Sequence, residues 1–121
     1  MADRKKGIGL KHAWHGIKVA IKLERNFKIH VVIGLLVIMM SVYFNIATFE
    51  WLVILLVIGS VLVAEIFNST IEKLLDYLNP AIHPAAKIIK DLSAAAVLIT
   101  AFTAVIIGLI IFIPKLINVF T

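Results

Sequence analysis

Cysteine is absent from the 121 residues, so the chain carries neither a disulfide framework nor a thiolate metal site. No small-residue cleavage pattern follows the basic N-terminal region, and no cleavable signal peptide is expected. The sequence also lacks internal repeats, low-complexity stretches, a Walker loop, a kinase Gly-rich loop and a dinucleotide fingerprint. A nucleotide bound here would be held without a familiar nucleotide fold. Charged side chains make up only 16% of the residues and hydrophobic ones 62%. Soluble domains are typically about 45–50% apolar, and one this small has too little interior to hide such an excess.

The apolar residues that are present fall in runs. Val31 to Phe49 is uncharged for 19 residues and Leu92 to Ile113 for 22. At about 1.5 Å per residue, either run crosses a hydrocarbon core of roughly 30 Å. Trp51 to Ala64 is uncharged for only 14 residues, but the apolar pattern continues through Ile66, Phe67, Ile71 and Leu75. One long helix from about residue 48 to 78 is expected there, with polar groups on one face of its second half. The expectation is an all-α integral membrane protein with three transmembrane helices, at about 29–47, 48–78 and 86–113 including cytoplasmic extensions. Pro114 is expected to close the third. Asn79-Pro80 and Pro84 predict a short loop before it.

Ahead of the first span, Leu10, Trp14, Ile17 and Ile21 step by four, three and four, while Lys11, His15, Lys18, Lys22 and Arg25 keep the same rhythm on the adjoining face. That pattern predicts an amphipathic surface helix over about 8–27, lying in the headgroup plane. A plain interfacial anchor accounts for this helix taken alone. Eight of the twelve Lys and Arg lie within residues 1–30. In a soluble protein that would suit nucleic acid, but beside a span it reads as attraction to anionic lipid headgroups. The turn around residues 45–50 has no Lys or Arg, whereas Lys73, Lys87 and Lys90 lie between the second and third spans. The positive-inside rule therefore puts the N-terminus and residues 68–91 in the cytoplasm, with Lys115 the one exception. Gly34, Gly59 and Gly108 offer close helix contacts. Spans this short bury little polar surface alone, so oligomerisation is expected.

The chemistry-bearing residues sit at the cytoplasmic end. Glu65, Asn68, Glu72 and Asp76 fall within about 80° of one another on a helical wheel. Three carboxylates on one face repel one another, and Glu65 lies at the hydrocarbon boundary, where an acid is tolerated when something uses or neutralises it. Four readings stay open from the residues alone: solvated headgroup-level acids at Glu72 and Asp76, a protonated packing residue at Glu65, an acid-lined channel or proton path, and a metal and phosphate site. Glu24, Lys90 and Asp91 from the other segments suit the last. Hard Mg²⁺ takes oxygen ligands and bridges to phosphates, and a lysine supplies a point charge. The histidines His12, His15, His30 and His83 are too scattered for a zinc site. They read as headgroup or nucleotide contacts, or as nothing special. A non-enzymatic scaffold or ion-conducting oligomer is the rival from another class, but it has no need for these groups to converge at one depth.

Glu-Arg-Asn-Phe-Lys-Ile-His at 24–30, Glu50-Trp51, Ala-Glu-Ile-Phe-Asn-Ser-Thr-Ile-Glu-Lys-Leu-Leu-Asp at 64–76, His83-Pro84, Ala-Lys-Ile-Ile-Lys-Asp at 86–91 and Phe-Ile-Pro-Lys at 112–115 resemble the prokaryotic diacylglycerol kinase family, and within it the undecaprenol kinases typical of Gram-positive bacteria. The resemblance implies a homotrimer in the bacterial cytoplasmic membrane that uses Mg²⁺ and ATP to phosphorylate the hydroxyl of a membrane lipid, with sites shared between neighbouring subunits. It implies Glu65 as general base and Asn68 as the residue orienting the reacting groups. Glu24 and Glu72 match the metal-binding carboxylates, and Asp76, His83, Lys90, Asp91 and more loosely His12 match residues lining the nucleotide site. The Gram-negative diacylglycerol kinases usually carry an acidic residue where this chain has His30. The implied acceptor is therefore undecaprenol, with diacylglycerol the alternative. The expected partners are this lipid alcohol, two identical subunits and anionic headgroups, with no nucleic acid.

Overall fold

The computed structural model describes residues 6–78 and 84–121, with side chains described from residue 9 onward. Four helices follow in order: α1 Lys6–Leu23, α2 Arg25–Tyr43, α3 Thr48–Tyr77 and α4 Ala85–Phe120. The last three are long and apolar enough to cross a membrane. At about 1.5 Å per residue, α3 is about 45 Å long and α4 about 54 Å, so both overrun a hydrocarbon core of roughly 30 Å. The acidic face of α3 occupies the overrun.

Three boundaries differ from those the sequence suggested. The first helix ends at Leu23, because Glu24 is extended (φ −105°, ψ 109°) and occupies the N-cap position of α2. The amide of Glu24 still donates to the Ala20 carbonyl at 2.9 Å, and its own carbonyl accepts from Lys28 at 3.1 Å, so one residue redirects the chain with little loss of backbone bonding. Second, α2 stops at Tyr43, four residues short of the expected end. Asn45 takes a positive φ of 53°, the Asn45 amide reaches the Val42 carbonyl at 3.1 Å and the Ile46 amide reaches that of Ser41 at 3.3 Å. This is a Schellman ending, with asparagine in the left-handed position usually given to glycine. Ile46 then buries itself beside Ile54, Ile111 and Phe112, with Met40 and Phe44 packed alongside. Third, Pro114 does not end the last helix; α4 runs through it to Phe120. Proline removes one helical donor, whereas ending the helix in a lipid setting would strand several carbonyls.

The core is thin and lies mainly along the α3–α4 contact. Between α2 and α3, Gly34 is buried, and a Cβ built on it would sit 3.2 Å from Ile58 Cγ2. That is the one close helix approach a glycine makes in this chain among the described residues: a Cβ on Gly59 or Gly108 would meet nothing within 4 Å. Hydroxyls inside the helices satisfy themselves locally, as where the fully buried Ser41 donates to the Val37 carbonyl at 2.8 Å and Ser60 to that of Leu56 at 2.8 Å. Most large apolar side chains of α2, α3 and α4 remain uncovered by protein, including Leu56, Phe67, Leu98 and Ile110. On α1, Leu10 and Trp14 are likewise exposed. Lipid tails or neighbouring subunits are the natural cover for such surfaces.

The far end of the bundle has its own polar clamp. Glu50 Oε1 accepts from the Ala47 amide at 3.0 Å, closing the start of α3, and its Oε2 lies 3.1 Å from Lys115 Nζ on α4. The lysine that stood as the exception to the charge asymmetry therefore has a carboxylate partner.

Candidate active site

Two turns of α3 carry Glu65, Asn68, Ser69 and Glu72 toward the start of α2. Together with Glu24, Arg25, Asn26 and Ile29 they line a predominantly polar cavity of about 410 Å³. The break at Glu24 creates this arrangement. Had α1 and α2 been continuous, position 24 would lie on a helix flank rather than at a cap facing α3.

Each acid in the band is handled differently. Glu65 is buried, its side chain only 4% exposed, and its Oε2 lies 3.1 Å from His30 Nε2 on α2. Glu24 is held by two α3 residues: Ser69 Oγ donates to its Oε1 at 3.1 Å, and Lys73 Nζ lies 3.0 Å from its Oε2. The Lys73 hydrogen bond holds the Glu24 carboxyl below its usual value; partial burial opposes this, and the Ser69 hydroxyl and the Lys73 charge reinforce it. Asp76, one turn beyond the cavity, pairs with Lys90 of α4 at 3.2 Å. Glu72 lines the cavity and has neither a hydrogen bond nor an ion pair among the described residues. Asn68 accepts a hydrogen bond from Ser93 Oγ of α4 at 2.7 Å through Oδ1, which leaves its amide hydrogens available to donate.

Four of the residues singled out from sequence thus share one cavity: Glu24, Glu65, Asn68 and Glu72. Asp76 and Lys90 meet each other beside it. Asp91 does not join them; it is exposed and bound to Lys87 of its own helix at 2.6 Å. His12 is exposed on α1 and is not among the residues lining the cavity. His83 lies outside the described residues. Sequence reasoning missed the use of His30, and with it Ser69, Lys73 and Ser93 as partners of the acids and the amide. These are long-range pairings, and only Ser69 and Lys73, at i+4 from Glu65 and Ser69 along the α3 face, left a trace in helical spacing.

Among the described residues, no three His, Asp or Glu side chains gather closely enough to ligate an ion by themselves. Magnesium commonly takes one or two carboxylates, with substrate phosphates and water completing its shell. Glu72, unpaired, and Glu24, whose present cation is an exposed lysine, fit that donor set on facing sides of one cavity.

A second cavity, of about 420 Å³, runs between α2, α3 and α4 from His30 past Gly34, Ile58 and Ala104 to Phe112 and Leu116. His30 is its single polar lining residue among the described residues. The imidazole therefore stands where an apolar groove meets the buried carboxylate that faces the polar cavity.

A sequence profile of the prokaryotic diacylglycerol kinase family matches residues 11–112. The chain is 38% identical over 105 residues to the undecaprenol kinase of Bacillus subtilis, covering 87% of this chain and 85% of that one. It is 32% identical over 112 residues to a diacylglycerol kinase of Synechocystis, covering 92% of this chain and 64% of that protein. With the diacylglycerol kinase of Escherichia coli K12 it shares 28% identity over 95 residues, 78% of each. Three membrane-length helices, a polar cavity of carboxylates at one end of them and this extent of similarity agree: the chain belongs to the prokaryotic diacylglycerol kinase family and is a multi-pass bacterial membrane lipid kinase.

Proposed function

We propose that this kinase transfers the terminal phosphoryl group of ATP to the hydroxyl of undecaprenol, giving undecaprenyl phosphate. The observation that carries the reading is the position of His30, at the end of the apolar groove and 3.1 Å from Glu65. A long isoprenoid in the groove would bring its hydroxyl to the one buried carboxylate of the site. The relative from Bacillus subtilis named an undecaprenol kinase supports the same acceptor, while the relatives named diacylglycerol kinases support the second reading, diacylglycerol as acceptor and phosphatidic acid as product.

In this mechanism Glu65 takes the hydroxyl proton as the lipid oxygen attacks the terminal phosphorus, with the leaving oxygen in line. A lipid alcohol is a poor nucleophile at neutral pH, and a carboxylate in a low-dielectric site is a better proton acceptor than an exposed one. Asn68, fixed to α4 through Ser93, directs its free amide hydrogens at the reacting groups. Glu24 and Glu72 would hold Mg²⁺, which when bound offsets the phosphate charge. Lys90 exchanges Asp76 for phosphate oxygens, and Asp91, His83 and His12 contribute nucleotide contacts. No phosphorylated enzyme forms. Homotrimers with the cavity on the cytoplasmic side complete the reading, each uncovered helix face meeting a neighbour or lipid.

The test supplies purified protein in mixed micelles with Mg-ATP and, separately, undecaprenol and diacylglycerol. A kcat/KM at least about tenfold higher for undecaprenol, worth about 1.4 kcal/mol in transition-state binding, is expected. Preference for diacylglycerol would transfer the assignment to the second reading.

A further inference from the structure

The two α3 residues that hold Glu24 differ in what they leave for a metal ion. Ser69 lines the polar cavity and donates to Glu24 Oε1, and a hydroxyl donor can stay on a carboxylate that also ligates an ion. Lys73, one turn further along α3, puts a full positive charge 3.0 Å from Oε2. That charge and a divalent cation repel each other too strongly to share one oxygen. Lys73 is not among the residues that line the cavity, and its side chain is 62% exposed against 22% for that of Glu24. It therefore clasps the carboxylate from the rim and can withdraw into water without crossing the cavity.

We infer that Lys73 is a positioning residue for the ion site, occupying the cation position on Glu24 Oε2 and giving way when Glu24 and Glu72 hold Mg²⁺. The inference rests on the assignment of these two acids to the metal in the lipid-kinase reading and adds a residue to it. Paired, Lys73 balances the charge of Glu24 and keeps the carboxylate turned toward α3. Because the pair must open before Oε2 can ligate, the apparent affinity for the ion is reduced by the fraction of molecules in which Oε2 is free. An exposed ion pair is worth little, so the reduction is modest and a bound ion overcomes it.

The effect is confined to one half of the site. Glu72 has neither a hydrogen bond nor an ion pair among the described residues, so no cation has to leave it. The released ammonium has an acid to turn to: Asp76 lies three residues along the same helix face. Asp76 pairs with Lys90 at 3.2 Å, and the mechanism above frees it when Lys90 turns to phosphate oxygens.

The test follows binding of Mn²⁺ alone, which like Mg²⁺ prefers oxygen ligands, to the protein in detergent micelles without nucleotide or lipid, through the electron paramagnetic resonance signal of the free ion. Lys73→Met and Lys73→Gln should each tighten binding by about two- to fivefold, the worth of one exposed ion pair. In a Glu24→Gln background the same substitutions should bring no gain, because there is no contact left to open. A lysine that only supports the fold predicts the opposite sign, since a loosened site binds its ion more weakly. Affinity equal to or below the parent's in both variants would overturn the inference. So would a gain that persists undiminished in Glu24→Gln, which marks a through-space field rather than displacement from Oε2. Either result leaves the kinase reading and the metal assignment standing. If Glu24→Gln alone binds Mn²⁺ as tightly as the unmodified protein, Glu24 is not a ligand and the inference falls with that assignment.

Discussion

Gly34→Ala probes the contact between α2 and α3 and the groove beside it in one substitution. The added methyl would sit 3.2 Å from Ile58 Cγ2, with Cδ1 and Cγ1 at 3.9 and 4.0 Å, so Ile58 must yield by a few tenths of an ångström. Ile58 is poorly placed to yield, being packed against the cluster of Ile46, Ile54, Ile111 and Phe112. Alanine is favoured over glycine inside a helix by about 0.8–1.0 kcal/mol, whereas forcing an extra carbon into a packed contact costs about 1–3 kcal/mol. The balance is a net loss of roughly 1 kcal/mol, read as a lower unfolding midpoint in detergent micelles. Because Gly34 and Ile58 both line the apolar groove, the KM for the lipid acceptor should rise, with that for Mg-ATP unchanged. Leucine at 58 has no Cγ2 methyl on its Cβ, so Gly34→Ala combined with Ile58→Leu should recover most of the lost stability. If Gly34→Ala alone is as stable as the parent and binds lipid equally well, neither the close approach nor the groove has the role given to it.

Glu72→Gln and Glu24→Gln should each raise the Mg²⁺ concentration needed for half-maximal turnover, measured at fixed ATP; the same metal dependence in both variants would remove them from the ion site. Asn45→Val places a β-branched residue at φ 53° and should destabilise by about 1–2 kcal/mol, whereas Asn45→Gly should be neutral or better in the same unfolding assay. The lowered carboxyl of Glu24 contributes stability that is present above the ordinary carboxylate value and lost as pH falls through its lowered one. Lys73→Met removes the main cause, so the acid-unfolding midpoint should move to higher pH; an unmoved midpoint would dissociate Lys73 from Glu24.

The architecture was readable because lipid-facing helices announce themselves by uninterrupted apolar length, and α3 could be extended past its charge-free stretch by following Ile66, Phe67, Ile71 and Leu75. The ends were harder. Nothing in Glu-Arg-Asn predicts that Glu24 alone will break α1 from α2, and a proline seen in isolation is a stop signal even where, as at 114, the helix continues through it. The acidic face of α3 was visible from its spacing, since residues on one helix keep their geometry wherever the helix goes. The pairing of His30 with Glu65 joins positions 35 apart on different helices and depends on how α2 packs, which periodicity does not encode. The same applies to Ser93 with Asn68. Asp91 and Lys90 are neighbours in sequence, yet their side chains take different partners, Lys87 of the same helix and Asp76 of α3.

In the mechanism we propose, Glu65 takes the proton of the lipid hydroxyl. Gln at 65 keeps the shape and an acceptor for His30 but removes the basicity, so the direct measurement is single-turnover phosphoryl transfer to undecaprenol by Glu65→Gln at saturating Mg-ATP. A fall of about 10²–10⁴ in rate, with lipid and nucleotide binding retained, is the expected result. Transfer within about threefold of the unmodified enzyme would contradict the claim.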